Sequence, residues 1–265
     1  MNIPVLDPKG VIGLAEKDLI VTATILMGLV VIPVLVLTFA IAWRYRAANM
    51  RAKYTPNWEH NTIEEFIWWA IPSLIIAALA GIVWTSSHDL DPFKPLDSSV
   101  PPLTIQVVAL DWKWLFIYPE ERIASVNLLK FPVGRPVNFE ITADAPMNSF
   151  WIPQLGGQIY AMAGMSTELH LMASEPGTYI GASANFSGRG FSGMKFNAVA
   201  VSEEEYEQWI QEVRASPLVL DMRHYQTLAA ASENAPISYY GWTDDDLYHA
   251  IIDQFMPAHE ASQEH

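Results

Sequence analysis

A chain that could bind copper or zinc through sulfur needs cysteine, and these 265 residues contain none, which removes thiolate metal sites, Cys nucleophiles and a disulfide framework together. The remaining soft donors are seven histidines and ten methionines. His170 lies in a strand-like run with no second histidine at ligand spacing, and the other histidines fall in loop, linker and tail segments. Met147, Met162, Met165 and Met194 read as flexible packing residues. The tryptophans of DWKW, Trp112 and Trp114, read the same way. One acidic pair is different: Glu64 and Glu65 open an uncharged apolar run, where a carboxylate is costly unless it is hydrated or used. Such a pair either handles protons or is an interfacial charge favoured by a helix N-terminus.

The elements that must position these residues begin with two apolar blocks. Val21 to Trp43 and Phe66 to Trp84 hold no charged residue. Each is long enough, at ~1.5 Å per residue, to cross a hydrocarbon core of ~30 Å. Neither has the form of a cleaved signal peptide: the first follows a segment with Lys9, Glu16, Lys17 and Asp18 and exceeds a usual h-region. Pro33 and Pro72 inside the runs predict kinks packed on a partner. Trp43, Trp68, Trp69 and Trp84 near the ends predict interfacial anchors. Arg44, Arg46, Arg51 and Lys53 lie between the runs, against Lys9 and Lys17 before them, so the connecting loop is expected on the cytoplasmic side and both termini outside.

From Ser87 onward the chain holds 23 acidic and 9 basic residues, a balance that excludes nucleic acid as a partner. The Pro-, Ser- and Asp-rich stretch DLDPFKPLDSSVPP reads as a linker. Seven strand-like runs follow: Leu103 to Ala109, Trp112 to Tyr118, Ser125 to Phe131, Val137 to Thr142, Ser166 to Ala173, Thr178 to Ser183 and Phe196 to Val201. Seven short strands within about a hundred residues predict a Greek-key sandwich or barrel. A capping box at Ser202 and Glu205, with Tyr206, Trp209, Ile210 and Val213 on one face, predicts a surface helix, and a second is expected from Thr243 to about Phe255. The predicted organisation is therefore an outer N-terminal segment 1–20, membrane helices 21–43 and 63–86 joined by a cytoplasmic loop 44–62, and a linker 87–102. A β-domain 103–202, an aromatic-rich helical extension 203–256 and a disordered tail 257–265 complete it.

A two-helix anchor followed by an all-β domain resembles subunit II of the haem-copper oxidases. The motifs LDPKG (Leu6 to Gly10), YRA, KYTPNWEHN, DWKW, FIYPE, MNSFWIPQLGGQIYAMAGM (Met147 to Met165), EPGTY and SGRGFSGMKF resemble its quinol-oxidase branch, the cytochrome bo-type ubiquinol oxidases, from about Leu6 to Met256. The resemblance implies a cupredoxin-like fold for the β-domain. Members of this branch often carry a lipid-modified Cys just before LDPKG; this chain starts at Met1 without one, so either numbering begins after processing or insertion needs no lipid anchor.

In the cytochrome c oxidase branch, the resemblance implies a dinuclear copper centre held by a His on one loop and, on another, two Cys four apart followed by a His and a Met, with a carbonyl from a Glu. On that pattern this sequence has Asn148 for the first His, Ser183 and Ser187 for the cysteines, Asn185 for the Glu, Phe191 for the second His, and Met194 alone retained. Thiolates must bridge such a pair, so no metal and no cofactor is expected on this chain. The resemblance then implies a structural subunit II without catalytic residues. Ubiquinol would be the substrate of the complex, and haems and one copper would reside in subunit I. The expected partners are subunit I chiefly, subunit III, a small subunit IV and membrane lipid, in a bacterial inner membrane with the β-domain periplasmic. The resemblance also aligns Glu65 with a glutamate near the mouth of a proton channel into subunit I. The aromatic-rich end is expected to pad the outer domain against other subunits. Two rival readings are a cytochrome c oxidase subunit II, favoured by the acidic outer domain, and a free-standing membrane-anchored binding protein.

Overall fold

The structure is a computed structural model in which residues 3–53, 55 and 60–256 are described. Part of the expected loop 44–62 and the whole expected tail 257–265 lie outside those residues. Two compact units result, one of residues 18–90 and one of residues 1–17 with 91–265.

The first unit is built on two helices, α1 (Val11–Arg44) and α2 (Thr62–Asp89), both long and apolar enough to cross a membrane. Pro33 and Pro72 sit inside them. Thr38 Oγ1 donates to Val34 O at 2.7 Å, one of several hydroxyls satisfied within their own helix. The Asn61 side chain caps α2 by accepting from Ile63 N and Glu64 N. The α1 helix starts ten residues before the apolar run from Val21, because its first turns belong to the other unit. There Lys9 N donates to Gln154 O at 2.6 Å and Gly13 N to Leu155 O at 2.9 Å, while Glu16 Oε1 accepts from Gly157 N at 3.0 Å. The segment expected as a simple outer lead-in is thus stapled to the β-domain.

That domain is a two-sheet sandwich. One sheet contains β1 (Leu103–Leu110), β2 (Lys113–Tyr118), β3 (Ile123–Val126), β5 (Val137–Asp144), β8 (Thr167–Leu171) and β12 (Ser238–Tyr240), in the order β12-β3-β2-β1-β5-β8. The facing sheet contains β4 (Leu128–Pro132), β6 (Asn148–Trp151), β7 (Gln158–Ala161), β9 (Gly177–Ser183) and β10 (Lys195–Val201), in the order β4-β10-β9-β6-β7. Parallel pairs β1·β5 and β4·β10 among antiparallel neighbours give the crossovers of a Greek key. The expected single strand Ser125 to Phe131 is two strands in different sheets. Asn127, with φ of 57°, turns the corner, and its Oδ1 accepts from Trp114 N at 2.9 Å.

The core between the sheets is aromatic. Phe150 stacks on Phe196 at 5.2 Å and meets Trp114 edge-on at 5.4 Å. Gly181 is required there, because a Cβ would sit 2.0 Å from the Phe196 ring. The run LTIQVVAL of β1 is buried on both faces for a separate reason: the C-terminal extension covers the far side of its sheet. Leu220, Tyr225, Leu247, Tyr248, Ile251 and Ile252 pack on Val108, Leu110, Leu115, Ile117 and Val126. The extension, expected to pad other subunits, buries its apolar side on its own chain. It is also less helical than expected. Helix α3 (Glu203–Arg214) forms with its capping box, but α4 (Met222–Ala229) was not anticipated, and Thr243 belongs to a short strand, β13 (Trp242–Thr243), paired with β11 (Val219–Leu220). Helix α5 is only Leu247–Asp253. Lys113 fastens this layer: its ammonium is buried and donates to Ala230 O and Ser232 Oγ, both at 2.7 Å. Burial lowers its pKa from the ordinary lysine value.

Candidate functional site

Strand pairing decides which polar residues meet at the end of the five-stranded sheet. Strand β6 begins at Asn148 and pairs with the end of β9 at Ser183; β10, beside β9, starts after Met194. Between β9 and β10 the chain runs through Asn185, Ser187 and a 3-10 turn, Phe191–Gly193. The topology thus gathers Asn148, Ser183, Asn185, Ser187, Phe191 and Met194, dispersed over 47 positions of sequence, around one loop cluster.

Their side chains form a hydrogen-bonded plug. Ser183 Oγ donates to Asn148 Oδ1 at 2.9 Å, has the Asn185 carbonyl at 3.2 Å, and accepts from Ser149 N at 3.4 Å. Asn148 Nδ2 donates to Pro146 O at 2.7 Å, and Asn185 Nδ2 to Met147 O at 2.9 Å. Asn148, Ser183, Ser187 and Met194 are buried. Ser187 Oγ has no hydrogen-bond partner among the described residues, while its carbonyl accepts from Trp112 Nε1 at 3.1 Å. Phe191 turns its ring edge to Phe186, 5.5 Å away. Trp112 lies over the same loop, against Gly188 and Gly190, where a Cβ on Gly190 would fall 2.4 Å from the indole. Arg189 stands above that indole at 6.0 Å and is held by Glu233 Oε1 at 2.6 Å.

A dinuclear copper centre does not fit this donor set. Two alcohols that hold their protons at neutral pH, two amides, a phenyl ring and one thioether supply neither a thiolate to bridge two coppers nor an imidazole, and the Asn148 and Ser183 heteroatoms already satisfy one another. Met194 is buried in the cluster, whereas Met147 and Met165, read from sequence as packing residues, are 43% and 52% exposed.

The histidines are dispersed. His170 is buried against Asn138 Oδ1 at 2.7 Å, His88 bonds Trp84 O, and His224 bonds Asp221. Among the described residues, no three His, Asp or Glu side chains converge as a metal site. Glu65 lies in the first turn of α2, with Oε1 2.6 Å from His60 Nδ1 and its side chain 39% exposed. Glu64, its neighbour, lines a separate cavity between α1 and α2.

Sequence reasoning missed the β6–β7 hairpin, which carries Asn148. Its signal was present in the Gly156–Gly157 pair flanked by apolar runs. It also missed that Gly156 and Gly157 meet the N-terminal segment, for which no local signal exists.

The family model described as the COX aromatic-rich motif matches residues 214–259. The chain is 54% identical to "Cytochrome bo(3) ubiquinol oxidase subunit 2" of Pseudomonas putida, over 98% of this chain and 84% of that one. It is 51% identical to "Ubiquinol oxidase subunit 2" of Acetobacter aceti, over 96% and 83%. To "Quinol oxidase subunit 2" of a Bacillus cereus strain the identity is 39%, over 86% and 78%. Among solved structures, the periplasmic domain of subunit II of cytochrome oxidase of Bradyrhizobium japonicum is similar with a TM-score of 0.41 at 21% identity, covering 45% of this chain and 96% of that one.

Proposed function

Since this chain belongs to the ubiquinol oxidase subunit 2 family, we propose that it is the membrane-anchored, non-redox subunit II of a proton-pumping quinol oxidase. The complex reduces oxygen to water with electrons from ubiquinol. Those electrons enter at subunit I, which holds the haems and the one copper, and none pass through this chain. The observation that supports the reading is the hydrogen-bonded Asn148–Ser183–Asn185 plug, formed by residues that the resemblance to the cytochrome c oxidase branch aligns with copper ligands. With oxygen and amide groups there, a water-soluble electron donor has no acceptor in the outer domain, so the donor must be lipid-soluble.

In this reading α1 and α2 span the bacterial inner membrane, the basic loop is cytoplasmic, and the β-domain is periplasmic, in line with the charge bias. Subunit I is the chief partner, with subunit III and a small subunit IV completing the complex. The chain's own contribution is structural and in assembly.

Oxygen consumption by the purified complex tests this. Reduced ubiquinone is expected to support turnover and reduced cytochrome c to give none, with copper per complex matching the subunit I site alone. Oxidation of cytochrome c together with a copper excess would overturn it in favour of a cytochrome c oxidase.

Glu65 is proposed as a proton-uptake residue at a channel entrance into subunit I. Its place in the first turn of α2, partly exposed and 2.6 Å from His60, supports exchange with the cytoplasmic solvent. Glu65→Ala is expected to slow quinol turnover and proton pumping severalfold at unchanged haem content. Wild-type turnover and pumping in that variant would leave Glu65 an ordinary interfacial charge.

A further inference from the structure

The two helices enclose, at their loop-proximal ends, an open cavity of about 1110 Å³. Its lining is divided by chemistry. Ile41 from α1 and Ile67 and Trp68 from α2 supply apolar surface, while Arg46 and Lys53 supply two cations and Glu64 one carboxylate. The Arg46 guanidinium rests on the Trp43 ring at 4.3 Å, which holds it near the aromatic level of the helix ends. Among the described residues that line it, two cations and one carboxylate leave a single positive charge next to an apolar wall.

We infer that this cavity is a binding site for one anionic glycerophospholipid of the leaflet facing the loop, its phosphodiester held by Arg46 and Lys53 and its acyl chains lying on Ile41, Ile67 and Trp68. The charge count selects the headgroup. One phosphodiester neutralises the net +1 of the lining, whereas a headgroup with its own ammonium leaves that charge uncompensated. Basic pockets between membrane helices are suited to such headgroups, each Lys or Arg near an anionic surface strengthening binding about fivefold. The apolar wall distinguishes a lipid from free phosphate, since only the lipid buries hydrocarbon there.

The test uses the intact complex, depleted of lipid in detergent and titrated with phosphatidylglycerol, phosphatidylethanolamine or inorganic phosphate while bound lipid is counted by native mass spectrometry. The reading is the difference between wild type and variants, which subtracts lipid sites elsewhere. Arg46→Gln and Lys53→Gln are each expected to weaken one phosphatidylglycerol about fivefold, and the double variant about thirtyfold. Glu64→Gln is expected to tighten it, and millimolar phosphate to leave it in place. A photo-crosslinking residue at Ile67 in an otherwise wild-type chain is expected to yield a lipid adduct, which keeps the test decisive where a variant fails to assemble. The inference is overturned by unchanged binding in the double variant, by equal or tighter binding of phosphatidylethanolamine that Glu64→Gln weakens, by displacement with phosphate, or by a crosslink to a protein subunit.

Discussion

Phe150→Ala is expected to destabilise the outer domain by about 3–5 kcal/mol and to lower its thermal transition by about 10 °C. Phe150 is fully buried and lies within ring-contact distance of Trp114, Phe116, Phe139 and Phe196. Four aromatic neighbours from both sheets cannot all move inward, so the deletion leaves a cavity that the site collapses into only partly. Strand β6 also pairs Phe150 with Ser183, so the loss is expected to reach the Asn148–Ser183 hydrogen bond. Calorimetry of the intact chain in detergent checks this, with Phe150→Leu expected to recover part of the loss. A change below about 1 kcal/mol for the alanine variant would show that the core tolerates the void.

Gly156→Ala is expected to release the N-terminal segment from the β-domain. Gly156 has φ of 93°, which by itself costs a residue with a Cβ about 1–3 kcal/mol. A Cβ there would also fall 2.6 Å from Gly13 N and 2.9 Å from Gly13 Cα, backbone atoms that have no rotamer by which to give way. The bonds from Lys9 N to Gln154 O and from Gly13 N to Leu155 O must then lengthen or break. Hydrogen exchange reads the result, with protection of the Lys9 and Gly13 amides expected to fall at least about tenfold, since each 1.4 kcal/mol of lost local stability is one factor of ten. Gly134→Ala is the control: Gly134 also has positive φ, 73°, but no atom of the described residues beyond its chain neighbours lies within 4 Å of its Cβ position. It carries the backbone cost without the steric one, so exchange at Lys9 and Gly13 should match wild type. Equal effects from both variants would mean that general loss of stability, and not the contact with Gly13, governs the segment.

Much of this protein is determined by its sequence alone, because the signals are local and strong. An uncharged run from Val21 to Trp43 has one cheap environment, hydrocarbon, and the alternation of Val137 to Thr142 has one period. The capping box at Ser202 and Glu205 set the start of α3, and its four predicted apolar residues are the ones buried. The residue types at Asn148, Ser183, Asn185, Ser187 and Phe191 carry their chemistry wherever they are placed, since no arrangement of alcohols, amides and a phenyl ring makes a thiolate. What depended on the tertiary structure is every relation between distant segments. The split of Ser125 to Phe131 into two sheets turns on Asn127, whose side chain must reach Trp114 N. The docking of Lys9 to Glu16 on the loop at Gly156 turns on backbone approach too close for any Cβ. The aromatic extension reads as an outward surface because its apolar residues have no local partner; its partner is the far face of β1, β2 and β3, some hundred residues earlier in the chain. Periodicity shows that a face will be buried, but which surface buries it is decided only when the chain closes on itself.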